Sequence, residues 1–152
     1  MENIKVEELL KQAYAAKDHI VIGMPCLPAV VEHTCIQTGF EILLSYGGGM
    51  GGCRETIYTF DDITEDMMNK SCFTCKRLNG EEITVFTRFI VYVKPVKYIV
   101  IKGTHSNSNF AFQGDNFIDI YAVNPDDTYS IDKSSTTISK AAMAPTISFK
   151  YK

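Results

Sequence analysis

The chain has 152 residues, of which 45% are hydrophobic and 22% are charged, so its composition is that of a globular protein and not of a disordered or fibrous one. A formal net charge of -3 and only three arginines argue against a long nucleic acid as partner, because such a partner requires a basic face. A small anionic ligand needs only one or two positive groups and remains compatible with this composition.

The N-terminal region and the cysteines indicate a compartment. The first residues, MENIKVEELLKQAYAAKDH, are too charged for a signal peptide, and no apolar run approaches the roughly 18 residues of a membrane helix. Five irregularly spaced cysteines fit reduced thiols better than a disulfide framework. We therefore expect a cytoplasmic protein with no membrane partner.

The first predicted elements are a helix and a strand. Residues 3–17 are predicted to form an amphipathic helix, since apolar residues recur at the helical spacing. A short strand is predicted over residues 19–24. Residues 27–38 fit one helical face although their β-branched content favours a strand. Because Pro28 stands near the start and Gly39 just past the end, we favour a helix there.

The hydrophobic period then changes to two, which is typical of strands. Residues 40–46 and 54–60 are predicted strands, and a glycine-rich loop joins them. The spacing over residues 62–65 is that of a capping box with Asp62 at the N-cap. It predicts a short helix that ends near Asn69.

A hairpin is predicted around Asn79-Gly80, since this pair supplies the two positive φ angles of a type I′ turn. The strand that follows is predicted to run from Glu82 to Lys94 without a break and to carry apolar residues on both faces. Few helices are available to cover it, so a second sheet layer or another subunit has to do so. The sequence therefore predicts a homo-oligomer.

Further strands are predicted over VKYIVIKG, FIDIYAV and TISFKYK, separated by polar turns. A helix followed mostly by meandering strands predicts an α+β fold dominated by antiparallel β-sheet. We expect a sandwich or a barrel-like sheet with the N-terminal amphipathic helix and one or two short helices. One domain is predicted over residues 1–152, with its β-rich core over residues 19–152.

The glycine-rich stretch YGGGMGGC is the first candidate site. A phosphate-binding loop leads into a helix, whereas this one leads into a predicted strand. It is either a loose hairpin tip or a flap that closes over a ligand or a neighbouring subunit. In the second case Gly48, Gly49 and Gly51 allow close backbone approach, and Arg54 at the base of the loop contacts an anion.

Cys72 and Cys75 have the CxxC spacing of metal and redox sites. A structural zinc site needs two more ligands, and the two side chains would point to opposite faces of the predicted strand. We favour buried structural cysteines, and no metal site or cofactor is predicted.

No catalytic constellation stands out among the polar residues. His105 is the most site-like of the three histidines, because it lies in a predicted polar loop together with Asn109. Both residues are therefore candidates for ligand binding, and no catalytic residue is predicted.

Arg77 and Arg88 lie in β-prone segments, and both are candidate contacts for an anionic ligand. Arg88 is predicted on the same strand face as Phe86 and Tyr92, and a buried arginine needs an anionic partner. That partner is either an acid of the chain, such as Glu82 or Asp119, or the phosphate or carboxylate of a ligand. In the second case Tyr92 stacks on the ligand's ring.

These observations favour a non-enzymatic, oligomeric protein that binds a small anionic ligand, a nucleotide being one example, for sequestration or sensing. A small phage or bacterial protein that sequesters a signalling nucleotide fits this description. The alternative is a structural or protein-interaction component, such as a virion assembly protein or an inhibitor of a partner protein. This alternative predicts assembly or partner capture without stabilisation by a small ligand.

Overall fold

The computed structural model of the protein describes residues 6–11, 20–21, 29–47, 52–105, 116–132, 137–140 and 143–151. Antiparallel β-sheet dominates this part of the chain, so the predicted predominance of antiparallel sheet is confirmed. Among the described residues, 6–11 are helical and belong to α1, and Glu65–Met68 form the short helix α2. A sandwich or a barrel-like sheet stays a prediction.

The described part of the chain contains ten strands. They are β1 (Ile20–Val21), β2 (Ala29–Tyr46), β3 (Cys53–Thr59), β4 (Cys72–Lys76), β5 (Glu82–Phe86), β6 (Ile90–His105), β7 (Asn116–Val123), β8 (Ile131–Asp132), β9 (Thr137–Ile138) and β10 (Ile147–Tyr151). A 3₁₀ turn, Thr87–Phe89, separates β5 from β6.

The chain forms two compact units. Unit 1 consists of residues 1–37 and 98–152, and unit 2 consists of residues 38–97. Strands β2 and β6 contribute residues to both units. The expectation of a single domain over residues 1–152 stays a prediction.

Unit 1 is built around β7. Its strands follow the order β1, β10, β7, β6, β2, and β10 pairs antiparallel with both β1 and β7. The five residues from Phe117 to Tyr121 are all buried, so both faces of β7 are shielded from solvent. The core on one face consists of Ile99, Ile101, Phe117, Tyr121, Val123 and Ile138.

Gly103 of β6 lies in a tightly packed part of unit 1. A Cβ atom built on Gly103 would stand 2.2 Å from the carbonyl oxygen of Val30 and 2.9 Å from the Phe117 ring. The position therefore requires glycine, because backbone and ring occupy the space of any side chain.

Unit 2 is built on the antiparallel pair of β2 and β3, in which residues 40–46 lie opposite residues 53–59. Alternation along the strands directs Ile42, Leu44 and Ile57 to one face, where they are buried. The paired strands β4 and β5 and the residues before α2 complete this core. Its buried members are Ile42, Leu44, Ile57, Ile63, Phe73, Cys75 and Val85.

The predicted hairpin is confirmed, but its turn type is not. The N–H of Gly80 donates to the carbonyl of Arg77 at 2.9 Å, and the N–H of Arg77 donates to the carbonyl of Glu81 at 2.8 Å. Gly80 has a φ of 86°. These bonds enclose a three-residue loop that ends in a left-handed glycine, instead of the two-residue loop of a type I′ turn.

Two predicted helix positions differ from the structure. Residues 29–38 belong to the long strand β2, so the helix predicted over residues 27–38 is wrong. Its β-branched residues are stiff and fit a strand better than a helix. The helix α2 ends at Met68 with Asn69 as its C-cap, close to the predicted end, but its N-cap is Thr64, whose hydroxyl accepts from the Met67 N–H at 3.3 Å, and not Asp62.

The N-terminal helix is described in part. Residues 6–11 are helical, and Val6, Leu9 and Leu10 are buried there. The rest of the predicted helix 3–17 lies outside the described residues, as does most of the predicted strand 19–24.

The uninterrupted strand predicted from Glu82 to Lys94 is wrong. The 3₁₀ turn at residues 87–89 breaks it, because Thr87 Oγ1 donates to the carbonyls of Lys70 at 2.7 Å and Ser71 at 3.1 Å. Burial on both faces is wrong as well, since Phe86 is 47% exposed and Val91 is 52% exposed. The argument that this strand forces a neighbouring subunit to cover it therefore falls.

Candidate functional site

Arg88 lies on the 3₁₀ turn and is exposed, which corrects its predicted burial within a strand. Its guanidinium carbon stands 4.7 Å from the centroid of the Phe89 ring and 5.8 Å from that of Phe86. No carboxylate in the described part of the chain forms an ion pair with it, so the first of the two alternatives, an acid of the chain as partner, is not met among these residues. Aromatic rings, and not an acid, hold this arginine.

The rings under Arg88 form a small aromatic cluster. Phe86 and Phe89 meet edge to face, with centroids 6.4 Å apart and an interplanar angle of 81°. Phe89 also contacts Tyr46, with ring centroids 5.0 Å apart. Phe89 thus contacts two aromatic rings, whereas Phe86 keeps 47% of its surface exposed. We call Phe86, Arg88 and Phe89 the Arg88 platform.

Arg77 is engaged in ion pairs. Its guanidinium binds Oε2 of Glu55 and lies 3.4 Å from Oε1 of Glu81. The hydrogen bond from Arg77 is the main cause that lowers the pKa of Glu55. Arg77, predicted as a ligand contact, therefore has acids of the chain as partners.

Glu55 also binds Tyr46. The Tyr46 hydroxyl donates to Glu55 Oε1 at 3.0 Å, so the two carboxylate oxygens serve different donors. Burial raises the pKa of Tyr46, and the bond to Glu55 raises it further. Contacts thus run without a gap from Arg77 through Glu55 and Tyr46 to the Arg88 platform.

Tyr92 is engaged elsewhere in unit 2. Its hydroxyl donates to Glu41 Oε2 at 2.6 Å, and the Lys94 ammonium lies 3.6 Å from the same oxygen and 5.2 Å from the Tyr92 ring. The bond to Glu41 is the main cause that raises the pKa of Tyr92 to about 12. The phenol of Tyr92 thus has a partner within the chain.

The predicted site residues fall into two groups. By alternation along β3, Arg54 shares a face with Tyr58, which lies opposite Glu41, the partner of Tyr92. Glu55, the partner of Arg77, points to the other face of β3. The Arg88 platform belongs with this second group through Tyr46.

The glycine loop is described only at its ends. Gly47 and Gly52 flank it, and Arg54 is exposed just beyond, opposite Ser45. Gly48, Gly49 and Gly51 lie outside the described residues, and so does Asn109. His105 is the last residue of β6 and not part of a loop, and its side chain lies outside the described set.

No protein-family model, curated protein or solved structure matches the chain.

The cysteines of the described segments do not gather into a metal site. No group of three or more histidine, cysteine or acidic side chains is suitably placed for a metal ion among the residues that the structure describes. Cys75 is buried, and burial followed by the charge of Asp61 raises its pKa to about 11. Such a thiol is neutral and inert at ordinary pH.

The described residues also contain no helix that is long and apolar enough to cross a membrane.

In unit 1 an open depression of about 430 Å³ is lined by Thr128, Tyr129, Ser130, Ser139 and Lys140. The Lys140 ammonium beside it lies 2.8 Å from Asp127, so its charge is compensated.

Sequence reasoning missed Tyr46, Glu55 and Phe89. Tyr46 and Glu55 stand on the two strands that flank the glycine loop, and the predicted hairpin already brings those strands together. Phe89 follows Arg88 directly, so the aromatic neighbours of that arginine were readable in the sequence. What the pattern did not indicate is the turn that exposes Arg88.

Proposed function

We propose that the protein is a non-enzymatic binding protein that holds a small anionic molecule on the Arg88 platform. The observation that supports it is that Arg88 is exposed, that its guanidinium carbon lies 4.7 Å and 5.8 Å from the centroids of two aromatic rings, and that no carboxylate in the described part of the chain pairs with it. A guanidinium held against an aromatic ring by a cation–π contact keeps its N–H donors available for a phosphate or a carboxylate.

The exposed ring of Phe86 adds a second element of recognition. A ring with 47% of its surface exposed offers an apolar face to a planar part of the ligand. A nucleotide carries both a phosphate and a planar base, so it is the ligand class that we propose for sequestration or sensing. Arg77 and Tyr92 are not proposed as ligand contacts, because Glu55 and Glu41 already bind them.

A thermal-shift screen with inorganic phosphate and with mono- and cyclic nucleotides tests this function. A ligand at 100 times its Kd adds about 2.7 kcal/mol, which raises Tm by roughly 5–10 °C for a chain of this size. We expect the shift in the wild type and its loss in Arg88→Ala. The matched control is Arg54→Ala. It removes an exposed arginine on the face of β3 opposite to the face that carries Glu55.

The outcomes separate the two arginines. A ligand shift that survives in Arg88→Ala and is lost in Arg54→Ala would move the anion site to the base of the glycine loop and overturn the Arg88 platform. The complete absence of a shift with every nucleotide and with phosphate would contradict small-ligand binding altogether.

A second candidate function is protein interaction, including homo-oligomerisation. Val91 is 52% exposed and Phe86 is 47% exposed, and both flank the 3₁₀ turn that carries Arg88. Aromatic residues and arginine are enriched at the centres of interfaces. The proposal is that this surface binds a second copy of the chain in the cytoplasm.

Light scattering tests the second candidate. We expect a mass above that of one 17.0 kDa chain at micromolar concentration, and a return to the monomer mass in Val91→Asp. Val30→Asp is the matched control, because Val30 is a comparably exposed valine in unit 1. A wild-type protein that is monomeric under these conditions would contradict it.

A further inference from the structure

The Arg88 platform is supported from two sides. Towards the N-terminus, Thr87 fixes the 3₁₀ turn through its hydroxyl and through its N–H, which donates to Ser71 at 3.1 Å. Towards the C-terminus, Phe89 rests on the ring of Tyr46. Arg88 therefore projects from a short turn whose neighbouring residues are both anchored.

The Tyr46 ring has its own anchor at the hydroxyl end. Glu55 accepts the Tyr46 hydroxyl with one oxygen and the Arg77 guanidinium with the other. Arg77 in turn lies within reach of Glu81, and the N–H of Arg77 donates to the Glu81 carbonyl in the hairpin loop. Glu55 is thus held from the hairpin, and it fixes the ring on which Phe89 rests.

Preorganisation of this kind matters for binding. An arginine side chain has many rotamers, and ordering it on binding costs free energy that weakens the complex. A guanidinium already held against fixed aromatic rings avoids part of that cost. The same reasoning applies to the residues behind the contact, since a loose supporting shell lets the contact group move.

We infer that Arg77, Glu55 and Tyr46 are positioning residues that hold the Arg88 platform in its anion-binding arrangement. This inference rests on the proposed function for its role in binding, but the arrangement itself can be measured without any ligand. It predicts that removing the Tyr46 hydroxyl loosens Phe89 and Arg88 although neither residue is altered.

The variants are Tyr46→Phe, which keeps the ring, and Glu55→Gln, which removes the charge facing Arg77. The matched control is Tyr92→Phe, because it removes a tyrosine hydroxyl bonded to a different glutamate of unit 2. The chain has only three arginines, so Arg→Lys variants assign the Nε–Hε NMR signals completely. The Arg88 Hε proton senses the ring current of Phe89, whose centroid lies 4.7 Å from the guanidinium carbon.

In the ligand-free protein we expect the Arg88 Hε signal to move towards its random-coil position in Tyr46→Phe and Glu55→Gln, and to stay in place in Tyr92→Phe. With AMP as probe, we expect Kd to rise about five- to tenfold in the first two variants, the size of one lost hydrogen bond. A general loss of stability would affect the Tyr92→Phe control as well.

Two results would overturn the inference. One is an Arg88 Hε signal that is unchanged in both variants. The other is wild-type AMP affinity in both variants while Arg88→Ala abolishes binding, which would leave the proposed function standing. If the signal moves but the wild type binds neither AMP nor phosphate, the positioning role stands and the proposed function fails.

Discussion

The hydroxyl of Tyr92 donates to Glu41 Oε2 at 2.6 Å, although 51 positions separate the two residues in the chain. Lys94 lies 3.6 Å from the same carboxylate oxygen, and Tyr58 stands opposite Glu41 on β3. Burial and the charge of Glu41 also raise the pKa of Tyr58. One carboxylate therefore organises the polar side chains on this face of β2 and β3.

Alkaline titration checks the Tyr92–Glu41 bond. A folded-state pKa of about 12, against 10.0 for a free phenol, means that the unfolded chain ionises first. The bond's contribution to stability is therefore complete below pH 10 and is lost as the pH rises from 10 to 12. Subtracting the ultraviolet titration curve of Tyr92→Phe from that of the wild type isolates the phenol of Tyr92 among the eight tyrosines. We expect the midpoint of this difference curve near pH 12.

Two results bear on this prediction. In Glu41→Gln, which keeps an acceptor but removes the charge, we expect the Tyr92 midpoint to fall. A difference titration of the wild type centred near pH 10 would contradict the bond.

Acid titration checks the Glu55–Arg77 pair. The folded pKa of Glu55 lies below its ordinary value of 4.5, so the pair's contribution to stability is present above pH 4.5 and is lost as the pH falls through the lower folded value. We expect Glu55→Gln to be less stable than the wild type at pH 7, with a difference that shrinks steadily below pH 4.5. Urea unfolding from pH 7 to pH 2.5 measures it.

Glu82→Gln is the control for the acid titration, since Glu82 is an exposed acid in the hairpin that contains Arg77. A stability difference between wild type and Glu55→Gln that is independent of pH would contradict the ion pair.

Alkylation checks the burial of the cysteines. With a pKa of about 11, Cys75 carries a thiolate in roughly one molecule per thousand at pH 8, and the thiol is buried besides. Cys53 is exposed. We expect iodoacetamide to modify Cys53 in the folded protein and to modify Cys75 and the buried Cys35 only after denaturant is added, as peptide mapping would reveal. Equal labelling of Cys53 and Cys75 in the native protein would contradict this arrangement of unit 2.

The sequence predicted elements well where the pattern is local. Alternation over residues 40–46 and 54–60 depends only on adjacent positions, and both strands are present. The break at residues 87–89 was not predictable in this way, because Thr87 is held by carbonyls 16 and 17 positions away. The misassigned helix over residues 27–38 shows the opposite case, in which a coincidental helical spacing outweighed the preference of β-branched residues for strands.

The same distinction between local and long-range contacts applies to the candidate site. The stacking of Arg88 on Phe89 joins adjacent residues, and the sequence already named that arginine as a ligand contact. The engagement of Tyr92 by Glu41 and of Arg77 by Glu55 depends on tertiary contacts between residues that are 51 and 22 positions apart in the chain. Sequence patterns therefore located the charged residues, but which of them already have partners was decided by the tertiary fold.

Substitution of Gly103 checks the packing of unit 1. In Gly103→Ala the new methyl group would meet the Val30 carbonyl oxygen at 2.2 Å and the Phe117 ring at 2.9 Å, and a backbone carbonyl cannot move aside as a flexible side chain can. We expect a loss of about 1–3 kcal/mol or more in the free energy of unfolding, measured by urea denaturation. Gly52→Ala is the matched control, because its methyl group would come no closer than 3.2 Å to another atom. Equal stability of Gly103→Ala and the wild type would mean that β2, β6 and β7 do not pack around Gly103 as described.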